Sequence, residues 1–133
     1  GIKGRLFSQI QEKGEVTIDG KIIMLEDVTF MKYGKKIIYS GDTIPTANAL
    51  KYSKSCDLLI HDSTFSFEHA KSAKEKFHST ARDCAEIAKK ANAKKLILTH
   101  FSNRYENLEI LKEEARAIFE NTDVAKPGLE VLV

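Results

Sequence analysis

The sequence predicts an α/β fold: a mixed sheet backed by helices, with a β-hairpin region at the N-terminus. Short apolar runs rich in β-branched residues alternate with segments whose apolar residues recur at helical spacing. Ionisable residues follow three of these runs within three positions, which is how α/β proteins deliver side chains to one rim of a sheet. The chain of 133 residues, 1–133, is long enough for a single domain with a core of its own.

The N-terminal elements follow from β-prone runs and the breaks between them. Residues 1–11 have no clear local pattern. Two β-prone runs then flank an Asp-Gly pair, which indicates a hairpin at 15–23. Strands are predicted next at 28–33 and 36–39. The second of these runs into Gly41 and Asp42, where the glycine allows a sharp turn and leaves the carboxylate exposed.

The rest of the chain alternates between helix and strand. Helices are predicted at 46–54, 80–91 and 108–120, and strands at 57–60, 96–99 and 129–132. The strand at 57–60 ends in His61 and Asp62, and the strand at 96–99 ends in His100. Ser79 or Thr80 can cap the second helix, whose small apolar residues recur at helical spacing while charged residues face away.

Composition and charge exclude few functions. Twenty-one Lys and Arg against nineteen Asp and Glu give a net charge of +2, so a local basic patch could still bind a nucleic acid. Cys56 and Cys84 are too few and too far apart for a disulfide framework, and we interpret both as reduced packing residues. No apolar run approaches the roughly 20 residues of a membrane span, and no signal peptide is visible. These features predict a cytoplasmic protein with no membrane partner.

Five ionisable residues are expected at one rim of the sheet. Asp42, His61, Asp62 and His100 follow strands, and His78 precedes a helix N-terminus, where it could hold and pass a proton. Carboxylate and imidazole together are a normal ligand mix for zinc. Each residue also has a structural alternative, such as a capped turn for the aspartate or a bond to a backbone carbonyl for a histidine. The remaining histidine, at position 69, has no identifiable partner and is assigned to the surface.

Four segments of the chain carry a recognisable series of motifs. They are Ser-Gly-Asp-Thr at 40–43, Leu-Ile-His-Asp-Ser-Thr-Phe at 59–65, His-Ser-Thr at 78–80 and Ile-Leu-Thr-His-Phe-Ser-Asn-Arg-Tyr at 97–105. In order and spacing they resemble the second half of ribonuclease Z, the tRNA 3′-processing endonuclease branch of the metallo-β-lactamase superfamily. The hairpin region before Asp42 is also similar, so the resemblance covers nearly the whole chain. It implies half of an αββα sandwich.

The resemblance implies a role for each matching residue. Asp42 resembles the carboxylate that bridges two zinc ions, and His100 resembles a terminal ligand of one of them. His78, with Asp62 as its partner acid, is similar to the residue that protonates the leaving oxygen. The family motif is usually His-Glu-Ala-Thr, whereas residues 61–64 are His-Asp-Ser-Thr, one methylene shorter at the acid.

The RNA-binding and metal-binding parts of the family site are only partly represented. Arg104 and Tyr105 are similar to positions near the RNA end, where a guanidinium could grip a phosphate. The superfamily's main metal motif, His-x-His-x-Asp-His, does not occur in the sequence. We therefore expect the C-terminal half of an enzyme that cleaves precursor tRNA, with its site completed by a missing N-terminal half.

Two alternatives remain from the sequence. One is another hydrolase of the same fold acting on a small ester, which the segment 101–105 argues against. The other is a catalytically incomplete half-domain that associates with itself, because an isolated half would leave apolar surface and sheet edges to cover, which makes a homodimer the expected form.

Overall fold

A computed structural model describes residues 2–133 of the chain. Contacts divide the chain into two compact units, Gly1–Gly34 and Lys35–Val133. The sequence-based expectation of one domain stays a prediction, and each unit is described by itself below. None of the helices within residues 2–133 has the length and apolar character of a transmembrane span.

The first unit contains a helix and a hairpin. Helix α1 (Arg5–Lys13) ends at Gly14, whose positive φ of 80° permits the left-handed C-cap that closes the helix. Strands β1 (Glu15–Ile18) and β2 (Lys21–Met24) then pair antiparallel, in the register Glu15↔Met24. The intervening Asp19 and Gly20 both have positive φ, at 50° and 77°, as a tight hairpin turn requires. The hairpin prediction is confirmed.

The strand predicted at 28–33 is wrong. Val28 ends the short helix α2 (Leu25–Val28), and residues 29–36 have no regular structure. The Asp27 carboxylate accepts the N–H of Met24 at 3.2 Å, which favours a helical turn over an extended chain. Phe30 is 87% exposed, so its β-propensity has no neighbouring strand or buried face to act through.

The second unit is built on a parallel sheet. Within the described chain its strands are β3 (Ile37–Tyr39), β4 (Leu58–Asp62), β5 (Leu96–Thr99) and β6 (Thr122–Val124), in that spatial order. All neighbours pair parallel, so the carboxyl ends of the strands lie at the same edge. The sequence analysis expected the antiparallel hairpin strands to extend this sheet. They form a two-stranded sheet of their own.

Helices follow the strands of the second unit. They are α3 (Ala47–Ser53), α4 (Ala70–Glu75), α5 (Ala81–Ala91) and α6 (Glu109–Arg116), with a single 3₁₀ turn at Phe67–His69. The hydroxyl of Thr46 accepts the N–H of Ala49 and caps α3. Thr80 and Asp83 form a reciprocal capping box at the start of α5, with bonds of 3.1 and 3.0 Å. The helices predicted at these positions are confirmed.

The core lies between the sheet and helices α5 and α6. Small residues of α5, including Cys84 and Ala88, are fully buried and allow the helix to approach Leu59 and Leu98 of the sheet closely. Leu111 of α6 completes the same cluster. Both cysteines are free and buried, which confirms their interpretation as packing residues.

The last strand lies earlier than predicted. Residues 129–132 have no regular structure, and the edge strand β6 comes directly after α6. Its position is set by hydrogen bonds at both ends: Leu96 N–H donates to Asn121 O at 3.0 Å and Ala125 N–H to Leu98 O at 2.8 Å. Arg116 also donates to Thr122 O at 2.7 Å. Pairing with β5 therefore outweighs the stronger apolar pattern of the C-terminal residues.

Candidate functional site

Asp42 lies in a loop that follows β3 at the carboxyl edge of the sheet. Gly41 has a φ of 61°, a left-handed conformation that favours glycine, and the turn leaves Asp42 exposed. Ser40 ties this loop to the next strand, because its hydroxyl accepts the N–H of Asp62 at 3.0 Å. The glycine turn thus presents an exposed carboxylate on a loop that is bonded to the neighbouring strand.

His100 is the first residue after β5 and has a φ of 59°. A left-handed conformation costs a residue with a Cβ about 1 kcal/mol, so it persists only where surrounding contacts hold it. Its Nδ1 lies 2.7 Å from Thr64 Oγ1, and its Nε2 lies 3.2 Å from Asp42 Oδ2. The predicted convergence of Asp42 and His100 is therefore present.

Asp62 is fully buried at the end of β4, and its carboxylate is saturated with donors. Oδ1 accepts the N–H and the hydroxyl of Thr64 at 2.9 and 2.7 Å. Oδ2 accepts the N–H of Thr43 at 2.9 Å and faces His78 Nδ1 at 2.7 Å. Burial by itself would raise the pKa of Asp62, but the donors from Thr64, His78 and Thr43 outweigh it and lower that pKa. The carboxylate is thus held ionised.

His78 lies between α4 and α5 and is partly buried. Its N–H donates to Ala73 O at 2.9 Å, which fixes the backbone below the ring. The ring stacks on His100, with centroids 4.8 Å apart and planes at 23°. Because Nδ1 faces Asp62, Nε2 is the nitrogen left for an external group. Asp62, His78 and His100 form one compact constellation next to Asp42.

His61 does not join this constellation, contrary to the prediction that it shares the rim. It is fully buried, its Nδ1 donates to Asp62 O at 3.0 Å, and Cys84 Sγ lies 3.5 Å from the same nitrogen. Successive residues of a strand face opposite sides, so Asp62 points to the site and His61 points towards α5. Burial lowers the pKa of His61, which favours the neutral ring.

Arg104 and Tyr105 occupy different environments. The Arg104 guanidinium is exposed and lies 4.9 Å from the ring centroid of Phe65, whose edge in turn meets the ring of His78. The Tyr105 hydroxyl is already engaged, because it accepts the N–H of Ser66 at 2.8 Å and lies 3.3 Å from His69 Nδ1. His69, assigned to the surface from the sequence, is half-buried with these partners. Substrate binding by Arg104 and Tyr105 stays a prediction.

The residues of this constellation lie in a segment that matches a known protein family. Residues 27–101, more than half of the chain, match the model of the beta-lactamase superfamily domain. The chain belongs to the metallo-β-lactamase superfamily. The matched span includes Asp42, Asp62, His78 and His100, so the constellation falls inside the superfamily domain.

Individual relatives within the superfamily are proteins called ribonuclease Z. The chain is 46% identical over 125 residues to ribonuclease Z of Protochlamydia amoebophila, covering 94% of this chain and 41% of that protein. It is 42% identical over 130 residues to ribonuclease Z of Methanosarcina acetivorans, covering 96% and 43%. The chain thus spans about two fifths of the length of these relatives. The resemblance to ribonuclease Z predicted from the motifs is confirmed.

Solved structures of the superfamily confirm the fold class. The metallo-β-lactamase fold protein YhfI from Bacillus subtilis matches with a TM-score of 0.64 at 26% identity, covering 81% of this chain and 41% of that one. The short form of human tRNase Z matches with a TM-score of 0.53 at 29% identity, covering 79% and 34%. The α/β architecture predicted from the sequence is therefore that of the superfamily.

The superfamily implies metal ions, and the side chains present fit part of such a site. One ligand atom from each of Asp62, His78 and His100 lies within 4.8 Å of the other two. Asp62 is a poor ligand nevertheless, because all four acceptor positions of its carboxylate are used by protein donors. Asp42 and His100 offer exposed ligand atoms 3.2 Å apart, so these two residues are the better candidates to hold a cation.

Thr64 is the residue of the site that the sequence analysis did not single out. It is 6% exposed, and its hydroxyl contacts both the Asp62 carboxylate and the His100 ring. A signal was available in the sequence, since an aspartate followed two residues later by threonine favours local side-chain to backbone bonding. That pattern predicts a supported carboxylate rather than a free one.

Proposed function

We propose that this chain supplies part of the active site of a zinc-dependent endoribonuclease that removes the 3′ trailer of precursor tRNA. The observation that carries the proposal is the buried Asp62 carboxylate bonded to His78 at 2.7 Å, beside the exposed pair of Asp42 and His100. A supported imidazole next to cation ligands suits phosphodiester hydrolysis, which needs a proton for the leaving oxygen and neutralised charge at phosphorus. The relatives named ribonuclease Z support the same reaction class.

Residues of this chain would bind the metal ions and donate a proton. Asp42 and His100 would hold zinc, two ions in the complete site, together with ligands from outside this chain. Bound zinc supplies a nucleophile at neutral pH and stabilises negative charge at phosphorus. His78 would give a proton from Nε2 to the leaving oxygen, while Asp62 holds the ring in place through Nδ1.

Residues next to His78 support precursor tRNA as the substrate. Arg104 is held over Phe65 with its guanidinium exposed, so its fork could bind a phosphate adjoining the cleaved bond. Tyr105 would act indirectly, because its hydroxyl fixes the backbone of Ser66 beside Phe65. The compartment that we propose for this activity is the cytoplasm.

Self-association is the proposed form of the chain when the remaining portion of the enzyme is absent. Strand β3 lies at the edge of the parallel sheet, and its Ile37 and Tyr39 side chains are 54% and 66% exposed. Such an edge can pair with a second copy. Sedimentation over a range of concentrations tests this, and a monomer throughout would contradict the homodimer.

A chimera tests the nuclease proposal directly. The matching 125 residues of the Protochlamydia amoebophila ribonuclease Z would be replaced by this chain, and cleavage of a precursor tRNA with a 3′ trailer would be measured. We expect cleavage at the trailer, and we expect His78→Ala to lower kcat about 10²-fold to 10⁴-fold. Asp42→Ala should abolish cleavage with a loss of bound zinc.

A matched surface variant controls for general damage to the chimera. Lys90 lies on the outer face of α5, where it pairs with Glu86 in an exposed i,i+4 contact, and Lys90→Ala should leave cleavage unchanged. Cleavage that survives both His78→Ala and Asp42→Ala would refute the assigned roles. A folded chimera that cleaves a lactone but no phosphodiester would refute the nuclease itself.

A further inference from the structure

The hydroxyl group of Thr64 connects the buried Asp62 carboxylate to the ring of His100. Thr64 is the second residue after β4. Its Oγ1 lies 2.7 Å from Asp62 Oδ1 and 2.7 Å from His100 Nδ1. Its N–H donates to the same carboxylate oxygen at 2.9 Å, so the residue cannot rotate away without losing that bond. A hydroxyl has a single proton, so it can donate to only one of its two neighbours.

The Thr64 hydroxyl donates its proton to Oδ1 of Asp62. Asp62 is fully buried and ionised, so no water can replace a lost donor, and leaving this carboxylate one donor short is costly. The oxygen of Thr64 is then left to accept a hydrogen bond, and the neighbour that can donate it is Nδ1 of His100. Asp42, by contrast, is exposed and can exchange His100 for water.

We propose that Thr64 is a positioning residue. Its hydroxyl donates to buried Asp62 and accepts from Nδ1–H of His100, which fixes the tautomer in which Nε2 of His100 is unprotonated. Nε2 is the nitrogen that faces Asp42, so this tautomer is the one able to bind a cation there. The role in cation binding rests on the proposed function, whereas the tautomer is a property of the chain alone.

Asp62 thereby sets the same tautomer on both rings. It bonds Nδ1 of His78 directly and reaches Nδ1 of His100 through Thr64. The two rings stack at 4.8 Å with planes only 23° apart, so equal tautomers place both Nε2 atoms away from the buried carboxylate. One buried anion can therefore orient the proton donor and a cation ligand together.

The backbone keeps Thr64 and His100 beside each other. Ser63 N–H donates to Thr99 O at 2.8 Å, and Ser102 N–H donates to Thr64 O at 3.1 Å. These bonds join the ends of β4 and β5 on both sides of the side-chain contact. His100 also has a left-handed backbone, and its ring is held by the contacts with Thr64 and His78.

The test is long-range ¹⁵N NMR of the histidine rings in the metal-free, full chain at alkaline pH and without RNA. Wild type should show His100 protonated at Nδ1. Thr64→Val removes the hydroxyl at nearly constant volume, so His100 should lose the Nδ1–H pattern and adopt Nε2–H, which can donate to Asp42. His78 should keep its Nδ1–H pattern in the same spectrum, because its bond to Asp62 is direct.

Two further variants keep the test decisive. Thr64→Ser retains the hydroxyl and should restore the wild-type pattern of His100. Thr122→Val removes another buried threonine hydroxyl, one bonded to Phe119 O at 2.6 Å, and should leave both rings unchanged. If Thr64→Val fails to fold, the serine variant still decides: a folded Thr64→Ser chain without the Nδ1–H pattern of His100 overturns the proposal.

The proposal and the nuclease assignment can fail separately. A wild-type His100 protonated at Nε2, or one whose pattern is the same in folded Thr64→Val, overturns the positioning role whatever the chimera cleaves. Conversely, the expected NMR patterns in a chain whose chimera cleaves no RNA keep the positioning role and reject the nuclease. In an active chimera, Thr64→Val should weaken zinc binding about 10-fold to 100-fold, and Thr64→Ser should restore it.

Discussion

Oδ2 of Asp62 lies 2.7 Å from Nδ1 of His78, although the acid is one methylene shorter than the glutamate usual in the ribonuclease Z motif. The short side chain suffices because the segment before α5 lies close to it. Ser79 donates its hydroxyl proton to Thr43 O at 2.7 Å, and Thr43 N–H donates to the same Oδ2. Three loops therefore converge on one buried carboxylate.

The buried acceptor at position 62 should contribute far more to stability than the exposed one at position 42. Asp62→Ala leaves the N–H groups of Thr43 and Thr64 without their acceptor, so we expect the free energy of unfolding to fall by about 3 kcal/mol. Asp42→Ala should change it by no more than about 0.5 kcal/mol. Urea unfolding of both variants measures the contrast, and equal losses would contradict the described network.

A matched pair in α6 tests the core in the same way. Leu111 is fully buried and Ile110 is 57% exposed, although the two are neighbours in the helix. Leu111→Ala should lower the free energy of unfolding by about 2–5 kcal/mol, because it leaves a cavity beside α5. Ile110→Ala should cost less than about 1 kcal/mol. A larger loss for the exposed residue would place α6 in the opposite orientation.

His61 predicts a specific dependence of stability on pH. Burial is the main cause that lowers its pKa in the folded chain, against an unfolded value near 6.5. As the pH falls below about 6.5, the unfolded chain binds a proton that the folded chain does not, so the free energy of unfolding decreases. His61→Asn keeps a donor for Asp62 O and removes the titrating ring.

Chemical unfolding of wild type and His61→Asn between about pH 5 and 7 measures this effect. The wild-type free energy of unfolding should decline towards the acid end, and the variant should decline less. Parallel curves for the two proteins would show that His61 keeps its ordinary pKa in the folded state. Carboxylates contribute mainly below this range, so they obscure the difference little.

Cation binding should depend on position 42 and hardly at all on exposed acids elsewhere. In the chimera described above, Asp42→Ala and His100→Ala should each weaken zinc affinity at least about 10-fold, since each removes one of the proposed ligands. Glu86→Ala, on the surface of α5, should leave it unchanged. Competition with a chelator measures the affinities, and an unchanged affinity for Asp42→Ala would shift the ligand role to other residues.

The parts of the fold that the sequence predicted are those in which local signals agree with tertiary contacts. Helix α5 combines a capping residue, Thr80, with small residues at helical spacing, and its prediction holds within one residue. The edge strands were harder. Residues 122–124 pair with β5 although their pattern is weak, and the β-prone residues 28–33 find no partner strand.

The sequence predicted most of the residues of the candidate site, but not the position of His61 or the contact made by Thr64. Asp42, Asp62, His78 and His100 converge as expected, because parallel strands end at one edge. His61 was misplaced although strand alternation alone sends it to the opposite side of the sheet from Asp62. The hydroxyl bridge through Thr64 depends on the distance between two strand ends, which no spacing along the chain determines.

The alternation within β4 also determines which changes in length the gene can tolerate. Deleting or inserting one codon between Leu58 and Asp62 would exchange the two faces of the strand, bringing the carboxylate against Cys84 and the unpaired His61 Nε2 to the rim. The irregular segment 29–34 is not part of a strand and has no such alternation to preserve. Insertions and deletions among related sequences should therefore be found in that segment and be rare in the strand.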